Sequence, residues 1–129
     1  MAISEHDLEL PAVPASVRDA RRFVRASLVG HGDDPVVEVA SLLTSELVTN
    51  AIVHAGGPVS IRVSGDCDHL RVDVRDPSTA RPHRRRSTAS ALTGRGLGLV
   101  ERLAARWGAD LSADGSGKVV WFELRLRTP

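Results

Sequence analysis

Two segments with strict apolar alternation place the strongest limit on the fold. Residues 59–64 read VSIRVS and residues 70–75 read LRVDVR, so apolar and polar side chains alternate in each segment. This two-residue period predicts β-strands with one apolar face, and the GDCDH sequence at 65–69 is typical of the turn between them. The pair predicts an antiparallel hairpin whose apolar face is covered by helices.

The other elements follow from periodicity and from proline and glycine positions. A strand is predicted at 7–13, and a helix that Ser16 could cap follows and ends before Gly30. Asp33 or Asp34 is expected to cap the next helix. The remaining elements are that helix at 35–55, a helix from about Gly98 to Gly108, and strands at 110–113 and 118–127. This order predicts an α+β two-layer sandwich, a mostly antiparallel sheet with helices on one face.

Length and composition indicate one soluble domain, residues 1–129, with a flexible N-terminus at about 1–6. No continuous apolar run approaches the roughly 20 residues of a membrane span, and the first residues, MAISEHDLEL, lack the apolar core of a signal peptide. The single Cys67 agrees with a reducing compartment, so a cytoplasmic protein without a membrane is expected. The net charge of +1 argues against direct nucleic-acid binding. Cys67 and His69 are too few ligands for a metal site.

A long segment without periodicity interrupts the pattern at about 77–95. Such a stretch inside a compact domain predicts a functional lid or a mobile segment. Its basic part, RPHRRR at 81–86, has three interpretations. It could be a solvated loop, it could touch a triphosphate, or it could dock an acidic partner.

An unusual polar stripe marks the second helix at 46–55, ELVTNAIVHA. Asn50 and His54 share the helical face of the apolar Leu47, and Glu46 lies at its edge. Buried polar groups are costly unless they are paired, so the stripe suggests a ligand site. Three solvated polar residues on a helix are the alternative.

A glycine run, GRGLG at 94–98, opens the next predicted helix. Glycines before a helix let backbone N–H groups approach a phosphate. A dinucleotide fingerprint would need a strand directly before the run, and a Walker loop would need Gly-Lys-Ser/Thr. Taken alone, the run is better explained as a loop before a helix.

Together, ELVTNAIVHA, a strand ending in Asp76, the lid and TGRGLGL at 93–99 resemble the GHKL (Bergerat) ATP-binding superfamily. The resemblance extends over about residues 7–127. The length and the closing GKVVWFEL at 117–124 are most similar to the small anti-sigma-factor serine/threonine kinases. Where the family usually has Asp-x-Gly-x-Gly, this chain has Asp76-Pro77-Ser78, which removes one close backbone approach to the nucleotide.

The resemblance implies ATP and Mg²⁺ as cofactors and assigns roles to three residues. Asn50 would bind Mg²⁺ through its side-chain oxygen. Glu46 would act as the general base, and Asp76 would accept a hydrogen bond from the adenine amino group.

Five further residues are expected near the phosphates. Gly94, Gly96 and Gly98 would wrap them, and Arg95 would add charge or be exposed. His54 is expected to be a core histidine with a satisfied hydrogen bond, and a contact near the phosphates is its alternative.

The implied function is that of a serine/threonine kinase that holds a sigma factor inactive. Such a kinase phosphorylates a STAS-domain anti-anti-sigma factor, and a homodimer through the N-terminal strand is expected. One rival is an ATP-binding regulator that sequesters partners without phosphoryl transfer. The others are a histidine-kinase catalytic domain, which would need a phospho-acceptor helix pair, and a basic interaction protein without nucleotide.

Overall fold

The computed structural model of the chain describes residues 3–55, 57–77, 98–111 and 115–126. Within these ranges, five strands and two long helices follow one another in the predicted order. The elements are β1 (Ile3–Leu10), α1 (Ala15–Ser27), α2 (Asp34–Ala55), β2 (Val59–Gly65), β3 (His69–Asp76), β4 (Arg106–Leu111) and β5 (Lys118–Arg125). Residues 98–103 are helical as well.

The strands form one antiparallel sheet in the order β1-β2-β3-β5-β4. The predicted hairpin is confirmed, since β2 and β3 pair with Ile61 opposite Val74. β3 also pairs with β5, which sets Asp76 opposite Lys118. Both helices pack against each other and against the sheet. The predicted two-layer α+β sandwich is therefore confirmed.

One apolar core fills the space between the helices and the inner face of the sheet. Every second residue of β3 and β5 is buried, because successive side chains of a strand point to opposite faces. Val72 and Phe122 from the strands meet Val24 and Leu43 from the helices in this core. Truncating a buried aromatic ring such as Phe122 to alanine typically costs about 3–5 kcal/mol. Apolar burial on this face therefore holds the two layers together.

β1 begins and ends earlier than the strand predicted at 7–13. It pairs with β2 from Ile3, opposite Gly65, to Leu10, opposite Val59, with an irregularity after Ile3. Pro11 has no N–H to donate, so the ladder stops before it. Residues 3–6, which the sequence predicts to be flexible, belong to this strand.

Of the two predicted helix caps, the one on α1 is absent and the one on α2 is present. Ser16 does not cap α1: Pro14 occupies the N-cap position, and the buried Ser16 hydroxyl donates to the carbonyl oxygen of Pro11 at 2.7 Å. Asp33 does cap α2, because its Oδ1 accepts the N–H of Val36 at 3.1 Å.

The segment after residue 98 departs most from the sequence prediction. Helical residues end at Leu103, which is 42% exposed. β4 begins at Arg106, where the helix was predicted to continue to Gly108. Pairing with β5 explains the difference, because Gly108 lies against the Trp121 ring, and an added Cβ would be 2.7 Å from it. Contacts from a distant strand therefore override the local helical pattern.

By length and mean hydropathy, α2 could span a membrane, although the sequence has no continuous apolar run of that length. Residues Asp34–His54 reach a mean hydropathy of 1.5. The core helix of a soluble domain passes the same test, and Ala40, Leu43 and Val48 of α2 lie in the core cluster. We therefore interpret α2 as the central core helix.

Candidate functional site

The polar stripe of α2 lies at the border between its buried and exposed faces. Glu46 and Asn50 are both half-buried, one turn apart on the helix, while Leu47 beside them is buried. Asn50 lies five residues before the end of α2 at Ala55, about 8 Å along the helix axis. Both polar groups are thus accessible and belong to the C-terminal half of the helix.

His54 is exposed, so the expected core histidine is wrong. It falls in the same angular stripe as Leu43 and Leu47, but it belongs to the last turn of α2. The layer that buries those two leucines does not cover the side chain of His54.

Asp76, the last residue of β3, is buried on the inner face of the sheet. It is 3% exposed, and Lys118 at the start of β5 is 6% exposed. These are the two buried charged side chains in the described part of the chain, whereas all residues of the core cluster are apolar. Lys118 Nζ lies 3.7 Å from Asp76 Oδ2.

A buried ion pair contributes little net stability, because removing two charges from water offsets their attraction. Removing one partner alone is strongly destabilising, since the other charge is left uncompensated. A feature that adds so little stability, at the end of a core strand, is more characteristic of a functional site than of a structural one.

Two glycines allow the chain to close tightly around Asp76 and Pro77. A Cβ on Gly117 would lie 2.2 Å from the carbonyl oxygen of Asp76, so the residue directly before β5 has to be glycine. A Cβ on Gly57 would lie 2.6 Å from Cγ of Pro77. Gly57 follows α2 almost directly, so this contact brings the end of the polar helix to the end of β3.

Lys118 is the site residue that sequence reasoning missed, although the sequence carried two signals for it. It is the single lysine among 17 basic residues. It also shares the strand parity of Val120, Phe122 and Leu124, which the alternation of β5 assigns to the core. Lysine is rarely buried unless its charge is paired, so a lysine at an inward position of a strand indicates a functional site.

Several predicted residues cannot be placed. Gly94, Arg95 and Gly96, the lid at 78–95 and the basic segment 81–86 lie outside the described residues. Gly98 is described, is half-buried and belongs to the helical residues 98–103. A Cβ there would meet no atom within 4 Å.

The hairpin turn holds the free Cys67, which is exposed. The Oδ1 of Asp66 accepts the N–H groups of Asp68 and His69 at 2.8 Å each. The backbone hydrogen bonds from Asp68 and His69 lower the pKa of the Asp66 carboxyl. No cluster of three or more His, Cys, Asp or Glu side chains with metal-site geometry occurs in the described ranges.

The outer face of the sheet carries a dense network of charges. Arg71 contacts Asp73 at 3.0 Å and Glu123 at 3.5 Å, and its guanidinium stacks 4.2 Å from the centroid of the Trp121 ring. Burial alone would lower the pKa of Arg71, but the hydrogen bond and charge of Asp73, aided by Glu123, raise it. Arg106 approaches Glu123 at 3.6 Å from the edge strand.

A broad groove of about 1010 Å³ lies over the outer face, between β1, β2, β3 and the start of β5. Its described lining includes Asp7, Arg62, Asp73 and Arg75. Glu46, Asn50 and Asp76 do not line it, so this groove and the candidate site are on different faces of the sheet. We place the candidate site by the buried charges and the polar helix, because these carry the chemistry.

Comparisons with known proteins bear on the family and the fold of the chain. The profile of the histidine kinase-like ATPase domain matches residues 10–124. A search of curated protein sequences finds no match.

Among solved structures, the chain is similar to the crystal structure of the RsbU and RsbW domains of Rv1364c from Mycobacterium tuberculosis. The TM-score is 0.70 at 20% sequence identity, and the match covers 98% of this chain. The chain spans about a third of that protein, since 33% of it is covered. At 20% identity, this similarity shows the fold alone.

Proposed function

Because the chain belongs to the histidine kinase-like ATPase domain family, we propose that it is an ATP- and Mg²⁺-dependent serine/threonine protein kinase that acts as an anti-sigma factor. It binds a sigma factor and phosphorylates a STAS-domain anti-anti-sigma factor, which then no longer releases the sigma factor. The observation that carries the proposal is the buried carboxylate of Asp76 beside the polar end of α2.

Asp76 reads the base in this proposal. An ionised carboxylate only accepts hydrogen bonds, so it selects a donor such as the exocyclic amino group of adenine. Burial strengthens this selection, because a base without that donor would face a carboxylate removed from water and offer it no hydrogen bond. Lys118, 3.7 Å away, supports the charged form.

Asn50 holds the metal in this proposal. Mg²⁺ prefers oxygen ligands and is bound through one or two protein groups together with phosphate oxygens. One half-buried carboxamide oxygen on α2 fits that requirement without a cluster of carboxylates. The ion, when bound, neutralises the charge that develops on the phosphate oxygens.

Glu46 takes the proton in the transfer step. The hydroxyl oxygen of the substrate serine or threonine bonds to the γ-phosphorus, and the bond to the β–γ bridging oxygen breaks as ADP leaves. The hydroxyl proton passes to the Glu46 carboxylate, which lies one turn before Asn50 on α2. Gly98, with Gly94 and Gly96, leaves space for the phosphates, and Arg95 or His54 adds a donor near them.

The proposed partners are inferred from the similarity of the fold to that of a known protein. The structural neighbour combines RsbU and RsbW domains in one chain. β1 is an edge of the sheet and offers unpaired backbone groups, so it is the proposed dimer contact.

A second candidate function is an ATP-binding regulator that sequesters partners without phosphoryl transfer. The sequence Asp76-Pro77-Ser78 favours it, because Pro77 packs against Gly57 where the family motif continues towards a glycine. Proline fixes its own φ and has no N–H to offer a nucleotide.

Calorimetry with ATP and Mg²⁺ tests the nucleotide site. We expect the wild-type chain to bind and Asn50→Ala to lose most of its Mg²⁺-dependent affinity. Thr49→Ala, at the adjacent half-buried position, is the matched control and should bind like the wild type. No binding by the wild type would overturn the proposal.

Transfer of labelled phosphate to a STAS-domain partner separates the two candidates. Glu46→Gln should still bind ATP but should lose about 10²–10⁴-fold in transfer rate, the usual contribution of a general base. Glu38→Gln on the exposed side of α2 is the control. ATP binding with no transfer by the wild type would favour the sequestering regulator.

A further inference from the structure

We propose that Lys118 is a second base-reading residue of the nucleotide site. Its ammonium donates a hydrogen bond to a ring nitrogen of the purine, while Asp76 accepts one from the neighbouring amino group. This inference rests on the proposed function and deepens it, because it names the part of the base that the site recognises.

The placement of the two side chains carries the inference. Asp76 and Lys118 are register partners at the meeting ends of β3 and β5, and both point to the helix-covered face. Their side chains are 2% and 7% exposed. Gly117, packed against the backbone of Asp76, holds the start of β5 in this position. A long, flexible side chain is thus held beside the carboxylate that reads the base.

The separation of the two charges leaves donors of the Lys118 ammonium for a ligand. At 3.7 Å, Nζ of Lys118 compensates the charge of Asp76 but exceeds the usual 2.7–3.2 Å of a direct N–H···O bond. An ammonium carries three donors and no acceptor, whereas an ionised carboxylate carries acceptors alone. The pair therefore presents one donor group and one acceptor group side by side.

Adenine matches this arrangement. Its amino group on C6 is a donor, and the two ring nitrogens that flank this group, N1 and N7, are acceptors. The amino group donates to Asp76, and either ring nitrogen accepts from Lys118. Guanine has a carbonyl oxygen in place of the amino group, so it offers Asp76 no donor at that position.

Binding of ATP analogues by the wild-type chain tests the inference without any substitution. Calorimetry would compare ATP with 1-deaza-ATP and 7-deaza-ATP, each of which lacks one of the two ring acceptors. We expect one analogue to bind about tenfold more weakly, the loss of one hydrogen bond to a charged group, and the other to bind like ATP. Equal affinity for all three would overturn the role of Lys118 and leave the nucleotide site intact. No binding of ATP would instead overturn the proposed function.

A second readout follows from Lys118 being the single lysine. Protein labelled with ζ-¹⁵N-lysine should give one side-chain ammonium resonance, and ATP should shift it. The weaker deaza analogue, at saturation, should shift it less. A resonance unmoved by bound ATP would contradict the inference.

The Lys118→Met variant completes the test. Where it folds, it should lose the discrimination between ATP and the weaker analogue. Loss of affinity for all three nucleotides by one common factor would instead indicate that Lys118 only supports the charge of Asp76.

Discussion

The two faces of the sheet carry charge in opposite ways. On the outer face Arg71, Asp73, Glu123 and Arg106 form a network that borders solvent. On the inner face, charge is confined to the buried Asp76–Lys118 pair among apolar neighbours in the described core. β3 and β5 contribute to both arrangements, and β4 adds Arg106 to the outer one.

The difference separates charges that need no special explanation from charges that do. Partly exposed ion pairs form at little cost and contribute little, so the outer network suits any solvated sheet face. A buried pair is retained against a desolvation cost, which requires another reason for its presence. In this chain the proposed reason is recognition of the base of ATP.

The largest expected effect is on the inner face. Lys118→Met should destabilise the fold by about 3–5 kcal/mol in urea denaturation, because the buried Asp76 carboxylate is left without its cation. The double variant Asp76→Asn, Lys118→Met removes both charges and should recover much of that loss. A single variant as stable as the wild type would show that the two faces do not differ.

The next effect tests the close approach of β5 to Asp76. Gly117→Ala should cost about 1–3 kcal/mol, because its Cβ would lie 2.2 Å from the Asp76 carbonyl oxygen and the strand ends would have to separate. Gly98→Ala is the control, since a Cβ there meets nothing within 4 Å. Equal thermal stability of the two variants would contradict the tight packing.

A smaller effect is expected on the outer face. Arg71→Met should cost about 1 kcal/mol, the sum of partly exposed ion pairs and its stacking on Trp121. Arg106→Met should cost less, because its side chain is 72% exposed and lies 5.9 Å from the ring centroid. High salt should reduce both losses in denaturation curves. A loss for Arg71→Met as large as that for Lys118→Met would remove the distinction between the faces.

The smallest effect belongs to the exposed turn between β2 and β3. Its hydrogen bonds from Asp68 and His69 lower the pKa of Asp66, so the charged form stabilises the fold above the carboxyl's unfolded value. That contribution is lost as the pH falls through the lowered pKa. Asp66→Ala should therefore melt slightly lower than the wild type at neutral pH and no lower in strong acid. Asp68→Ala is the control, and a difference that grows in acid would contradict this sign.

Much of the fold could be predicted because its signals are local. Alternation in 59–64 and 70–75, the turn at 65–69 and the apolar stripe of α2 each specify an element within a few residues. Interactions between residues that are close in sequence determine these elements, and the structure contains each of them.

The errors lie where contacts with residues outside the element itself decide. Arg106–Leu111 continues a helical pattern in sequence but becomes a strand because it pairs with β5. His54 lies on the same stripe of α2 as the buried leucines, but it belongs to the last turn of the helix, where it is exposed. Ser16 has the chemistry of a cap, yet its hydroxyl bonds back to Pro11.

By itself, the sequence determined the family, the order of the elements and the polar residues Glu46, Asn50 and Asp76 as candidates. Only the tertiary structure decided that Asp76 is buried against Lys118 and that Gly57 and Gly117 close around Asp76 and Pro77. The reason is physical: periodicity reports which face of its own element a side chain occupies. The partner across the sheet depends on strand register, which is set by residues far along the chain.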